Sequence, residues 1–266
     1  PKSTEAVTIN KMCGSGMKAA MMAADSLAAG SADIIIAGGM ESMSNAPYLM
    51  KKHRAGARIG HDTVYDHMML DGLEDAYEPG RAMGTFAEDT ACAYQFTRET
   101  QDAYAIESLS RARKAIESGA FEREIVPVEV KTRKGTDTVT TDEQPGKGMP
   151  DKIPTLKPAF AKEGTITAAT SSSISDGAAA LVLTRASVAE AKGAKPVARI
   201  VGHTAHARAP AQFTTAPIGA IEQLLEKTGW AIGNVDLFEI NEAFACVSMA
   251  AMQDLGIPHD KVNIHG

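Results

Sequence analysis

The strongest constraint in this chain is a short run of isoleucines closed by two glycines. Asp33-Ile34-Ile35-Ile36-Ala37-Gly38-Gly39 is continuous and apolar, with no polar alternation. Such a run reads as a strand covered on both faces, as in a parallel sheet. Just upstream, residues 14–29 are apolar almost all round (Met17, Ala20, Met21, Ala24 and Leu27 among them), which predicts a buried helix rather than an amphipathic one. A β-like stretch, Ala6-Val7-Thr8-Ile9-Asn10, comes before it. Strand, helix, strand in this order predicts a βαβ unit and an α/β fold.

The first junction of that unit carries a thiol. Cys13 lies in Asn10-Lys11-Met12-Cys13-Gly14-Ser15-Gly16, where the strand is expected to turn into the helix. A cysteine at the positive end of a helix dipole is placed to react as the thiolate, and the free amides there suit an oxyanion. Gly14 and Gly16 lack a Cβ, so a ligand can approach the backbone. The competing reading is a buried structural cysteine in a tight turn. A second junction echoes the first. The strand Val235–Ile240 runs into Asn241-Glu242-Ala243-Phe244-Ala245, read as the start of a helix reaching about Gly256. In α/β folds this end of a strand faces the ligand crevice, although an Asn there also serves as a helix cap.

Between the junctions the composition changes. Residues 45–96 read as loop-rich. A helix follows Thr97 as N-cap, with Ala103, Ile106, Leu109, Ala112 and Ile116 as its stripe, to about Gly119. Glu124–Val130 reads as an edge strand because of Pro127, and Lys131–Asp142 as an exposed hairpin around Gly135. Gln144–Pro158 reads as a loop. Ala178–Leu183 reads as another fully buried strand, followed by a short helix at Ser187–Lys192. Pro196–Gly202 opens a second α/β stretch, with a helix near Ile218–Gly229.

The formal net charge of −6 argues against a wholesale nucleic-acid binder. Three cysteines without a CxxC pair suggest neither a zinc site nor a disulfide framework, and fit a reducing compartment. His203-Thr204-Ala205-His206 has no nearby carboxylate and makes a poor metal pair, so no metal is expected. No apolar run is long enough to cross a membrane. No Walker loop or GxGxxG follows a strand. The chain opens without Met and reads as an excerpt of a longer polypeptide.

Five stretches, in order along the chain, resemble the thiolase family of acyl-CoA C-acyltransferases. They are Val7–Ala19 (VTINKMCGSGMKA), Ala37–Ser44 (AGGMESMS), Met83–Asp89 (MGTFAED), Gly164–Leu183 (GTITAATSSSISDGAAALVL) and Asn241–Ala245 (NEAFA). The resemblance implies a thiolase-like α/β fold of two similar halves with an inserted loop domain. Residues 1–45 and 165–193 would form the N-terminal half, 46–164 the loop domain, and 194–266 the beginning of the C-terminal half. It implies ping-pong acyl transfer: Cys13 takes the acyl group from an acyl-CoA, and a second acetyl-CoA attacks it as a C2 carbanion, or the reverse. Asn241 would position the water of the enolate oxyanion hole, and the Cys13 amide would serve the other hole. Ser172 would touch the pantetheine arm. Met83, Phe160, Ala168, Phe213, Ala243 and Phe244 would line the tunnel, with plain core packing as the alternative for each apolar side chain. The substrates would be coenzyme A thioesters with no further cofactor. The resemblance implies a homodimer or homotetramer, with the Lys131–Asp142 hairpin as candidate tetramer contact, in the cytoplasm or, in a eukaryote, the mitochondrion.

The chain departs from the family pattern in several places. Ala82 stands where many thiolases carry His, and Ala169-Thr170-Ser171-Ser172-Ser173 replaces the usual Gly-Asn-Ala-Ser-Gly turn. Neither the family's Gly-His-Pro nor its late Cys-x-Gly occurs, and His265 lacks the following Pro. These 266 residues alone are therefore expected not to turn over. A non-catalytic thiolase-like partner subunit, a decarboxylating ketoacyl synthase and a cysteine hydrolase are the alternatives, the synthase disfavoured by the Asn of NEAFA.

Overall fold

The structure is a computed structural model that describes residues 2–266. The chain divides into two compact units. The first comprises the residues up to Gly80 together with Ile174–His203, and the second Arg81–Ser173 with Thr204–Gly266. Compactness thus divides the chain at other points than the expected halves and loop domain, which are divisions by homology.

In the first unit, helix α1 (Ser15–Ala28) packs on a two-stranded ribbon. Strand β1 (Ile34–Ser42) pairs antiparallel with β6 (Asp176–Thr184), with Ile36 opposite Val182 and Gly38 opposite Ala180. The ribbon carries α1 on one face only. Ala37 is buried, while Ile36, Met40 and Val182 are 72%, 75% and 73% exposed. This corrects the expectation of doubly covered, parallel strands at 33–39 and 178–183. Apolar continuity records what a strand tolerates, not which neighbours the described residues supply. For the same reason α1 is not buried all round: Ala23 and Leu27 are buried, but Met17 is 66% exposed.

The helix approaches β1 where neither has a side chain. A Cβ on Gly39 would stand 3.1 Å from the Cα of Gly16. Gly16 therefore serves helix–strand packing, not only ligand access. At the other end Arg185 donates to the carbonyls of Leu27 (3.0 Å) and Ala32 (2.8 Å) and pairs with Asp33, capping the α1 C-terminus. The short helix α5 (Ala186–Ala191) follows β6, and β2 (Tyr48–Leu49) pairs with β3 (Tyr65–Asp66) in the irregular segment beyond β1. Residues 6–10 form no strand; Val7 is 81% exposed. Residues 196–202 likewise form none. A β-prone segment without a ladder partner stays irregular.

The second unit holds the main apolar core. Helix α2 (Met83–Ala93), within the stretch expected to be loop, buries Phe86, Ala87 and Ala91 on one side. Helix α3 (Arg98–Glu117) begins at Thr97, whose hydroxyl accepts from the Thr100 amide at 3.2 Å. Strands β4 (Val128–Thr132) and β5 (Gly135–Val139) form an exposed antiparallel hairpin with its turn at Arg133–Lys134, so the expected edge strand begins after Pro127 and is itself one arm of the hairpin, which spans 128–139 and not 131–142. Helix α4 (Glu143–Lys147) overlaps the start of the expected loop 144–158. Helix α6 (Ala216–Thr228) ends at left-handed Gly229, and α7 (Ala245–Leu255) at left-handed Gly256. Among the described residues, the extended segment 235–240 pairs only through a parallel bridge between Phe238 and Val262. Around α7, Phe244, Cys246, Val247, Ala250 and Ala251 pack with Ala87, Ile166, Ile218, Ile240 and Val262. Among the described residues, no helix is long and apolar enough to cross a membrane.

Candidate active site

Cys13 is exposed and stands directly before Gly14, the N-cap of α1. Gly14 supplies no side-chain cap; its own amide and that of Ser15 donate to the carbonyls of Lys11 (3.0 Å) and Met12 (3.1 Å), so the first turn of α1 keeps the amides of Gly16 and Met17 for another acceptor. The turn is shaped by its neighbours. Met12 has φ +49°, in the left-handed region that costs a non-glycine residue about 1–2 kcal/mol. Three contacts hold it there. The Met12 amide donates to Asn10 Oδ1 at 2.9 Å, the Lys11 amide donates to Ser15 Oγ at 2.8 Å, and Ser15 Oγ donates to the Met12 carbonyl at 2.8 Å. Asn10 and Ser15 are thus structural determinants of the cysteine turn that composition did not reveal, although both lie within the motif. The competing expectation of a buried structural cysteine does not hold for Cys13, which is exposed; the buried cysteine is Cys246, whose thiol burial pushes up to about 12.

The same unit holds a carboxylate that the sequence did not single out. Asp176, at the start of β6, accepts from the Ser44 hydroxyl, from the Ser44 amide (2.9 Å) and from Ser42 Oγ (3.4 Å). The Ser44 hydroxyl, then its amide, hold the Asp176 carboxyl below its ordinary value. The carboxylate ties the end of the ribbon to the turn after β1.

The other candidates stand in the second unit. Asn241 is exposed, and its side-chain amide has no hydrogen-bond partner among the described residues. It does not open a helix: α7 starts at Ala245, after Phe244 as N-cap. The Glu242 and Ala243 carbonyls, which an earlier helix start would need as acceptors, are taken by Ser172, and the Glu242 side chain enters a polar cluster. Its Oε1 accepts from Tyr104 Oη (2.8 Å) and Asn263 Nδ2 (2.7 Å), and its Oε2 from Ser108 Oγ (2.8 Å). Burial, then the Glu242 carboxylate, pushes the Tyr104 phenol up.

Ser172 is also exposed, and is joined to this loop. Its Oγ donates to the Glu242 carbonyl at 2.6 Å and its amide to the Ala243 carbonyl at 3.1 Å. The segment before it is set by Glu88, which accepts from the amides of Thr165 (2.8 Å) and Ile166 (2.9 Å). Of the apolar candidates, Phe244 belongs to the core, and Met83, Phe160, Phe213 and Ala243 pack against it half-buried. Phe160 meets Phe244 edge to face, centroids 5.9 Å apart. Any side chain at position 84 would collide with the Phe160 ring, which explains the glycine of the Met-Gly pair. Ala168 is exposed, on the short turn Ala168–Thr170. A cavity of about 590 Å³ in this unit is lined by Ile116, Phe121, Glu122, Ile125 and His265, among others, and by none of the candidate residues. His203 and His206 take separate partners, Asp25 (2.9 Å) and Gln223 (3.0 Å).

The first unit thus presents an exposed thiol at an uncapped helix start, and the second, by itself, an unpartnered Asn beside a serine-held loop. The chain belongs to the thiolase family. It matches that family's N-terminal domain over residues 1–187 and its C-terminal domain over residues 194–266. It is 47% identical over its whole length to a probable acetyl-CoA acetyltransferase of Dictyostelium discoideum, covering 64% of that protein. It is 44% identical to the acetyl-CoA acetyltransferase of Schizosaccharomyces pombe, again over all of this chain and 68% of the relative. The fold matches a crystal structure of the Acat5 thiolase from Ascaris suum in complex with coenzyme A, with TM-score 0.93 and 42% identity over 100% of this chain and 68% of that one. The Bacillus anthracis acetyl-CoA acetyltransferase gives TM-score 0.95 and 40% identity, over 100% of this chain and 67% of its own. The chain thus spans about two thirds of the length of the relatives it matches.

Proposed function

We propose that this chain carries the nucleophile half of a thiolase reaction, with acetyl-CoA as acyl donor. The observation that carries the reading is Cys13: exposed, on a turn held open by Asn10 and Ser15, at a helix start that offers amides and no cap. In this reading the Cys13 thiolate attacks the thioester carbonyl, the C–S bond to coenzyme A breaks, and the released thiolate takes up a proton. The acyl group stays on Cys13. A second acetyl-CoA gives up a C2 proton to a base, its enolate carbon bonds to the acyl carbon, and Cys13 leaves as thiolate. Reversed, the sequence cleaves a 3-ketoacyl-CoA. Preorganised donors at both developing oxyanions supply most of the rate.

The Cys13 amide serves the first oxyanion, and a water held by Asn241 the second. Ser172 meets the pantetheine arm. Met83, Phe160, Ala168, Phe213, Ala243 and Phe244 form the apolar wall. The division into an N-terminal half (1–45, 165–193), a loop domain (46–164) and a C-terminal half (194–266) belongs to the same proposal. So do a homodimer or homotetramer, with the exposed hairpin as contact, and a location in the cytoplasm or, in a eukaryote, the mitochondrion. The residues here include no Gly-His-Pro and no late Cys-x-Gly, so we infer that they accept an acyl group without completing the carbon–carbon step.

The test is peptide-mapped mass spectrometry after incubation with acetyl-CoA. One acetyl group on Cys13, with protection of that cysteine from iodoacetamide, is expected. An unmodified Cys13 would leave the chain as a partner subunit. Acetylation that discharges to water as fast as to free coenzyme A would make it a hydrolase.

A further inference from the structure

The Asn241 amide is unpartnered, yet the residues on either side of it are each tied at more than one point. The backbone of Ile240 is clasped on both sides by one side chain, Asn263. Its N–H donates to Asn263 Oδ1 at 2.8 Å, and its carbonyl accepts from Asn263 Nδ2 at 2.9 Å. Glu242 is held by its carboxylate to Tyr104, Ser108 and Asn263, and by its carbonyl to Ser172. Asn263 is 4% exposed and sits at φ +46°, a left-handed position that Asn tolerates better than most residues. Its Nδ2 serves Ile240 and Glu242 together, so one amide joins the two clamps.

We propose that Glu242 and Asn263 are positioning residues for Asn241. They form a cradle that fixes the backbone of residues 240–242 and so presents the Asn241 amide in one pose. The proposal rests on the reading that Asn241 serves the enolate oxyanion. The cradle works by geometry, not charge. Glu242→Gln keeps an oxygen for Tyr104 and Asn263 and offers its amide to the Ser108 hydroxyl, so the cradle re-forms. Glu242→Ala removes the acceptor of three donors. Asn263→Asp removes both N–H bonds and sets a second carboxylate against Glu242, in place of a 2.7 Å hydrogen bond.

The direct readout is the side-chain NH2 signal of Asn241 in nitrogen-15 spectra, assigned by its loss in Asn241→Asp. A single sharp pair is expected in the parent and in Glu242→Gln, and a shifted or exchange-broadened pair in Glu242→Ala and Asn263→Asp. If Glu242→Ala fails to fold by circular dichroism, Tyr104→Phe and Ser108→Ala remove one donor each and are read in the same way. In the full-length protein, exchange of the C2 protons of acetyl-CoA is expected to fall roughly 10- to 100-fold in Glu242→Ala, as small misplacements of a catalytic group do. Cys13 acetylation should hold its rate, and Glu242→Ala should add nothing in an Asn241→Ala background. An unmoved Asn241 signal in Glu242→Ala, or losses that multiply in the double variant, would overturn the proposal. If Asn241→Ala itself leaves proton exchange at the parent rate while the Asn241 signal still responds to Glu242→Ala, the cradle stands and the assignment of Asn241 to the reaction fails.

Discussion

In the unit that carries Cys13, the buried apolar residues among those described are Ala23, Leu27, Ala37 and Ala189, while Ile36, Met40 and Val182 stand mostly in solvent. In the unit that carries Asn241, Phe86, Ile166, Val247, Ala250 and Val262 are all at most 4% exposed. The contrast extends to the chemistry. Cys13 is set by side chains within a few residues of it, Asn10 and Ser15. Asn241 is set through Tyr104, Ser108, Ser172 and Asn263, from 21 to 138 residues away from the neighbour they hold. A nucleophile on a short turn needs only local backbone geometry. A polar group that must be held still without being consumed needs a distant frame, and a core to keep that frame rigid.

The largest effect should come from Cys13→Ala. Acetylation should drop from one group per chain to none by mass spectrometry. Stability in urea should change by no more than about 0.5 kcal/mol, as for other exposed sites. A large loss of stability would show that Cys13 belongs to a core after all. Next, Phe86→Ala should cost about 3–5 kcal/mol, because the ring is 1% exposed and packs edge to face on Phe213. Ile36→Ala, on the open face of the ribbon, should stay within about 0.5 kcal/mol. Similar costs for the two in urea titrations would erase the difference between the units.

A smaller loss, about 1 kcal/mol, is expected for Thr97→Ala, which removes the cap of α3 and loosens the helix that carries Tyr104 and Ser108. Thermal unfolding would register it; no change would mean that packing alone holds the start of α3. The smallest effect concerns acid. Asp176 is held below its unfolded value by Ser44, so its contribution is present above the ordinary aspartate range, near pH ~4, and lost as pH falls through the folded value. Asp176→Asn should flatten stability against pH below about 4 and leave the neutral region nearly level. A parallel profile for parent and variant would remove Asp176 as the latch of the ribbon.

Cys13 in its Gly-rich junction, the capped helix after Thr97, the hairpin around Gly135 and the helix stopped by Gly229 could be read from residues alone. Each is decided by a few neighbours in the chain: a cap, a breaker, a period. The motifs also carried the family, because NEAFA and the Cys13 stretch keep their order and spacing. Which strands would pair, and on how many faces, could not be read. Ile34–Ala37 and Ala178–Leu183 are apolar enough for a doubly covered sheet, yet they pair antiparallel with one face open. Apolar content sets how favourable burial would be, while pairing depends on the partners that tertiary structure brings. Read from the sequence alone, Asn241 opens a helix, because it follows directly on the strand-like run Val235–Ile240. The structure delays α7 to Ala245, since Ser172 takes the backbone carbonyls of Glu242 and Ala243, a pairing that no local pattern announces. The sequence by itself determined the family and the place of Cys13 just before a helix. Only the folded chain decided how Asn241 is held, because a carboxylate's partners are chosen by proximity in space and not by distance along the backbone.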